Sequence, residues 1–241
     1  MSGMRFARHG EWNMRDNADL HEKITAILHE LKFDYPSRPE QLKILIKDRN
    51  GVPVAFLQPV SVEFVGENQF IKILADWREK NWDAYPTVFK VTMEGTGKWV
   101  NDQLINRDDR ILFLISAPDG KPAGHLGLSN FDFTNCEAEI DNVVRGAHNV
   151  LPGIMTTALE VLVEWSFTRL GLKRLFLRVF YDNARAIKLY ERCGFKGVKK
   201  IPLNKIIDGE VIRYEEIQEG QNLKIDRYFY LMEKHNESSG R

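Results

Sequence analysis

Residues 137–195 read EAEIDNVVRGAHNVLPGIMTTALEVLVEWSFTRLGLKRLFLRVFYDNARAIKLYERCGF, and the fold class turns on how the period changes along them. EAEIDNVV alternates: Glu139, Asp141 and Val143 share one face, and Ala138, Ile140, Asn142 and Val144 share the other, as on a strand. A Gly-containing loop follows. From Pro152, placed where a first helical turn tolerates proline, Ile154, Met155, Ala158, Leu159, Leu162 and Trp165 keep a helical stripe through Leu170. Gly171 stands where a left-handed residue ends a helix. RLFLRVF at 174–180 is almost continuously apolar, as a strand buried on both faces must be. NARAIKLYERC is then a short amphipathic helix closing on Gly194. This order predicts an α/β protein: one mixed sheet with helices packed on it.

Upstream, two helical segments are expected, from about Gln69 to Tyr85 and from about Thr92 to Ile105. ILFLIS (111–116), the turn Pro118-Asp119-Gly120 and PAGHLGLSNF form a hairpin. Downstream, KGVKKIPL, VIRYEEIQ and KIDRYFYLM read as closing strands. Residues 66–235 therefore form one α/β domain. The first 65 residues read separately. Leu20, Ile24, Ile27, Leu28 and Leu31 fall at helical spacing. LKILIKDRNGVPVAFL holds two β-rich runs about Asn50-Gly51, a tight-hairpin signal that asks for positive φ at both central residues. This piece is either a small α+β extension or the opening strands of the main sheet. Residues 236–241 read as a frayed tail.

The 241 residues carry 34 Lys+Arg and 34 Asp+Glu, a formal net charge of zero. A dedicated nucleic-acid or anionic-membrane binder would carry a basic excess. No apolar run reaches membrane-span length, and MSGMRFARHGEW has no apolar stretch to act as a signal peptide. Cys136 and Cys193 are too few for a disulfide framework and suggest a reducing compartment. A cytoplasmic globular protein is expected. No His/Cys spacing suggests metal, and no G-x-S-x-G elbow suggests a serine hydrolase.

Two segments carry chemistry. In Arg145 to Thr156 a strand passes through a loop into a helix start, whose first amides lack intrahelical partners and attract a diphosphate. The bland alternative is an ordinary crossover. Asn183 stands where its side chain caps a helix or bonds a ligand. Tyr190, about two turns on, shares its face, and its hydroxyl could protonate a departing thiolate or simply meet a backbone carbonyl in a core.

The pattern Asn183-x-x-Ala186-x-x-Leu189-Tyr190-Glu191-x-x-Gly194-Phe195 resembles the C-terminal signature of the GNAT superfamily of acyl-CoA-dependent N-acyltransferases. The likeness covers roughly residues 69–233, including element order. Within the superfamily it is most similar to the branch acetylating ribosomal proteins, antibiotics and nucleotide-linked amino sugars. The cofactor loop departs from the family pattern Gln/Arg-x-x-Gly-x-Gly/Ala: Val150 and Met155 replace the usual residues around Gly153, and Arg145 lies five positions before the usual arginine.

The resemblance implies acetyl-CoA as cofactor. Its pantetheine would pair with Asn142, Val143 and Val144 on a splayed strand. Its diphosphate would rest on Arg145, Val150, Leu151, Pro152, Gly153, Ile154, Met155 and Thr156, flanked by Asn183, Ala186 and Tyr190. Asp141 is the first choice of general base and Glu139 the second, their mutual repulsion raising one pKa. Tyr190 is the general acid, and an amide near Val143 polarises the thioester carbonyl. Trp82, Tyr85 and His125 are candidates for the acceptor side. The acceptor implied is a primary amine of a small molecule, favoured as a nucleotide-linked amino sugar. A protein N-terminus or antibiotic-type amine is the alternative, and a non-catalytic acyl-CoA-binding module the other. Neither nucleic acid nor membrane is an expected partner, and a homodimer is left open.

Overall fold

The computed structural model describes residues 11–48 and 50–237, with side chains from residue 18 onward. Residues 1–10 and the last four of the expected tail lie outside the described residues. The chain begins with α1 (Glu11–His29), α2 (Pro39–Leu42), β1 (Ile44–Lys47), β2 (Pro53–Pro59), α3 (Asn68–Lys80), β3 (Thr87–Val88) and α4 (Met93–Trp99). It continues through β4 (Ile111–Ser116), β5 (Pro122–Asp132), β6 (Glu137–Arg145), α5 (Ile154–Trp165), β7 (Arg174–Phe180) and α6 (Ala184–Arg192). Strands β8 (Lys196–Asp208), β9 (Val211–Glu216) and β10 (Arg227–His235) close it.

One ten-stranded sheet runs β1-β2-β4-β5-β6-β7-β10-β8-β9-β3. Among the described residues every pairing is antiparallel except β6 with β7. That pair is parallel because α5 carries the chain back across the sheet between its two strands. The face under α1, α5 and α6 buries Ile24, Leu28, Phe113, Leu126, Ala138, Leu159 and Leu162. The opposite face, under α3 and the α4 segment, buries Phe70, Ile71, Leu74, Trp77, Val100 and Leu104 against Leu112 and Leu114. Each Leu, Ile, Val or Phe among them contributes about 1.5–3 kcal/mol by leaving water, so two apolar layers hold the sheet between them.

Strands β1 and β2 form one end of this same sheet, with β1 at the edge and β2 pairing with β4 from Phe56↔Ser116 to Pro59↔Phe113. Their connection is not the tight turn expected: β1 ends at Lys47 and β2 begins only at Pro53, with Gly51 at φ 80° between them. The Asp48 carboxylate instead accepts from the amides of Asn50 (2.8 Å) and Val52 (2.9 Å), closing a longer loop by side-chain mimicry of a turn.

Strands β6 and β7 stay paired only through Glu137↔Arg174, Ala138↔Leu175 and Glu139↔Phe176, then part. The cause lies on β6. Asn142 adopts φ 52°, and the register against β5 shifts between His125↔Val144 and Gly127↔Asp141. This is a bulge, and an extra residue on one strand bends and twists it away from its neighbour. The bulge also corrects the alternation expected on β6. Val144, not Val143, pairs with His125 and joins the layer containing Trp77, whereas Val143 packs toward the α5 side. Pro152 is corrected too: it lies in a turn ahead of α5, and Gly153 (φ 81°) is the residue before the first helical turn. Among the described residues no helix is long and apolar enough to cross a membrane.

Candidate active site

Where β6 and β7 part, a cavity of about 630 Å³ opens between Asp141–Val144 of β6, Arg178 and Val179 of β7, and Asn183, Ala186 and Tyr190 at α6. On one side it meets a groove of about 830 Å³ bounded by Arg145, Gly153, Met155 and Thr156 and by Arg185 and Arg192. On the other it meets a pocket of about 410 Å³ beneath α3 and α4, lined by Arg78, Tyr85, Phe89, Trp99, Arg110 and His125. Asp141 faces both the central cavity and this pocket, and Tyr190 both the central cavity and the groove. The α3–α4 connection straps across the opening. Thr87 and Val88 pair with β9, the Tyr214 amide donates to Pro86 O (2.8 Å), and Arg227 donates to Asp83 O (3.1 Å).

The two candidate carboxylates have different surroundings. Asp141 accepts from the Asn142 amide (2.6 Å), Asn142 Nδ2 (2.9 Å) and Ser129 Oγ (3.2 Å). Arg110 lies 3.8 Å away, and 36% of the Asp141 side chain is open to the cleft. Burial under the mass of the protein, then the charge of Glu139, hold its pKa above the ordinary carboxylate value, against the pull of Arg110 and the donors. Glu139 is engaged through both oxygens: Arg178 Nε and Nη2 grip them at 2.9 and 2.8 Å, and Asn130 Nδ2 donates at 2.6 Å. Arg178 also holds Glu216 (2.7 Å). Glu139 thus anchors an arginine across the parting strands, with three donors already on its two oxygens.

Tyr190 is buried, and among the described residues its hydroxyl has no hydrogen-bond partner. Burial, then the charge of Asp141, push its pKa far up, so it remains a proton carrier at neutral pH. His125 is buried on β5, its Nδ1 at 2.6 Å from Asn142 O. A carbonyl only accepts, so Nδ1 carries the hydrogen. Burial lowers the ring's pKa to about 4, which leaves it neutral and a weak base. It holds the bulge.

The loop before α5 fits a diphosphate by three observations. A Cβ built on Gly153 would meet nothing within 4 Å, so the backbone there is open to close approach. The amides of Gly153 and Met155 have no intramolecular partner among the described residues. Arg145 donates through Nη2 to the carbonyls of His148 (3.3 Å) and Val150, while its Nη1 is buried without a partner. Arg145 therefore braces the loop and keeps one donor spare. Gly146 makes room for this: a Cβ there would lie 1.9 Å from the Trp77 ring. Val150, Leu151 and Ile154 turn their side chains to the core, and Pro152 is exposed beside them. Asn183 caps α6, accepting from the Ala186 amide (3.1 Å), and lines the cleft as well.

Trp82 is 57% exposed and stands outside all three cavities, whereas Tyr85 lines two of them. Sequence reasoning missed Arg78, Arg110, Arg178 and Arg227. Arg178 had a visible signal, a charge inside an apolar strand that must find a partner. Arg110 had none.

Residues 57–196 match the acetyltransferase (GNAT) domain family. Spermidine N(1)-acetyltransferase of Vibrio cholerae serotype O1 is 23% identical over 146 residues, 61% of this chain and 77% of that protein. A probable acetyltransferase (GNAT family) of Chromobacterium violaceum has a similar structure, with a TM-score of 0.56 at 18% identity over 79% of this chain and 85% of that one. The dodecameric structure of spermidine N-acetyltransferase from Vibrio cholerae gives 0.55 at 18% identity, over 78% of this chain and 96% of that one.

Proposed function

This chain belongs to the acetyltransferase (GNAT) family and is an acetyl-CoA-dependent N-acetyltransferase of amines; from that premise we propose that it acetylates a small-molecule primary amine by direct transfer, with Asp141 as proton acceptor and Tyr190 as proton donor. The observation that carries this reading is that both groups face one cavity at the parting of β6 and β7. When bound there, acetyl-CoA supplies the acetyl thioester. An ammonium has no lone pair, so the acceptor must first lose a proton. Asp141 takes it, directly or through one water, and its raised pKa makes it a stronger base than an ordinary carboxylate. The amine nitrogen would then bond to the acetyl carbon as the carbon–sulfur bond breaks; Tyr190 gives its proton to the leaving sulfur, and the second proton that the nitrogen sheds returns to the Tyr190 oxygen. An amide near Val143 supports the charge on the carbonyl oxygen.

For the acceptor we keep the nucleotide-linked amino sugar. Its support is the charge of the pocket beneath α3 and α4, where Arg78 and Arg110 stand against the single carboxylate of Asp141. Arg78 places its guanidinium carbon 3.4 Å from the Tyr85 ring centre and donates to Thr87 O at 2.7 Å, an arrangement suited to an anionic acceptor with a planar part. A polyamine is the second reading, favoured by the names of the relatives and by Glu215 at the rim of the central cavity. A homo-oligomer belongs to the same proposal, supported by the dodecameric relative.

Thiol release from acetyl-CoA over a panel of amines tests this. Faster turnover on a nucleotide-linked amino sugar than on spermidine is expected, and the reverse order overturns the acceptor assignment. No release on any amine would favour the binding module. Because the Asp141 carboxyl titrates above the usual range, the rate falls as pH drops through that raised value. Asp141→Asn removes this limb, and Asp141→Asn or Tyr190→Phe lowers turnover by about 10²–10⁴-fold. A variant with an unchanged rate removes that residue from the mechanism.

A further inference from the structure

We propose that Arg185 and Arg192 on α6 hold the 3′-phosphate of coenzyme A, so that this enzyme distinguishes coenzyme A from its 3′-dephospho form. The proposal rests on the acetyl-CoA assignment and adds a second anion site to it.

Residues 185, 189 and 192 recur at helical spacing, so both arginines flank Leu189 on the face of α6 that walls the groove. The opposite wall carries Arg145. The groove is therefore lined by cations from both sides; burial, and after it the charge of Arg185, depresses the pKa of Arg145. A folded chain would normally answer such repulsion with a carboxylate. Here the carboxylates at the groove are Asp83 and Asp182. Asp182 is consumed by Arg227, which grips both its oxygens at 2.9 and 2.8 Å. Among the described residues neither Arg185 nor Arg192 has a carboxylate partner. Arg192 donates only through Nε, to Lys188 O at 3.1 Å, leaving its Nη donors free. Beyond the groove, Arg185 and Arg192 also line an outer cavity on α6 with Lys188, where one carboxylate, Glu191, faces three cations.

Coenzyme A has two separated anionic groups, a diphosphate and a 3′-phosphate. The Gly153 and Met155 amides and the spare Arg145 nitrogen suit the first. The α6 face lies across the groove from them and suits the second. A guanidinium presents paired donors matched to phosphate oxygens, and a charge-assisted bond of that kind is stronger than a neutral one.

Calorimetric titration at fixed ionic strength with coenzyme A and with 3′-dephospho-coenzyme A decides it. The wild type should prefer coenzyme A by about 10–100-fold. Arg185→Gln with Arg192→Gln, both exposed and helix-compatible, should bind the two forms alike while keeping the wild-type affinity for the dephospho form. Equal wild-type affinity for the two forms overturns the proposal, as does a preference that survives in the double variant. If the wild type binds neither form, the acetyl-CoA assignment falls and the phosphate site with it.

Discussion

His125 and Asp141 flank the same bulge, yet burial acts on them in opposite directions. Losing water disfavours a charge of either sign, so the imidazole is held neutral and the carboxyl is held basic. For His125 the consequence is a stability that depends on acid. Its folded pKa of about 4 lies below the ordinary 6.5. Below pH 6.5 the unfolded chain takes up a proton that the folded chain refuses, so stability is lost as pH falls from 6.5 to about 4, by roughly 3 kcal/mol. Urea midpoints of wild type and His125→Asn at pH 7 and pH 4.5 check this. The variant should be less stable at pH 7 but should lose less on acidification, and parallel losses would contradict a buried neutral ring. Of the single residues, Tyr190 stood out by its helical spacing from Asn183, whereas Asp141 was named through what the family resemblance implies. The arginines that set the charge around them come from other strands and connections, and chain order gives no sign of where those meet.

At the level of elements, the parting of β6 from β7 decides everything downstream, and it depends on one left-handed asparagine. Local period was enough to locate β4 to β7, α5 and α6, because each is long and its neighbours are punctuated by glycine or proline. The bulge was not legible. Asparagine visits the left-handed region more readily than other non-glycine residues, but its presence in EIDNVV does not announce that it will. Hence the faces of Val143 and Val144 came out exchanged. A β-branched residue resists φ 52°, so Asn142→Val should cost about 1–3 kcal/mol and reduce turnover further by moving Asp141, whereas Asn142→Gly keeps the bulge, loses only the Nδ2 bond to Asp141 and should be the less impaired of the two in both. Thermal denaturation with initial rates separates them. A valine variant as stable and active as wild type would mean that β6 needs no bulge.

Across the whole molecule, the N-terminal strands lie at the far edge of the sheet, yet the segment after α1 reaches toward the active site. Lys32 is 2% exposed and donates to Arg107 O. Three residues on, Arg110 stands beside Asp141. The sequence left these first 65 residues undecided between an extension and part of the sheet, since a β-rich run does not name the strand it will pair with. That pairing is non-local and is set only when β4 is in place. The catalytic domain itself was easier to recognise, its signature residues lying close together along the chain at α6.

The central claim is that acetyl-CoA lies between the parted strands with its diphosphate at the start of α5. Hydrogen exchange of the intact protein with and without acetyl-CoA measures it most directly, because backbone amides in that gap have no strand to pair with until the ligand arrives. The account predicts slowed exchange in peptides covering residues 140–145 and 153–156 on adding acetyl-CoA. Slowed exchange elsewhere, with these two segments unchanged, would contradict it.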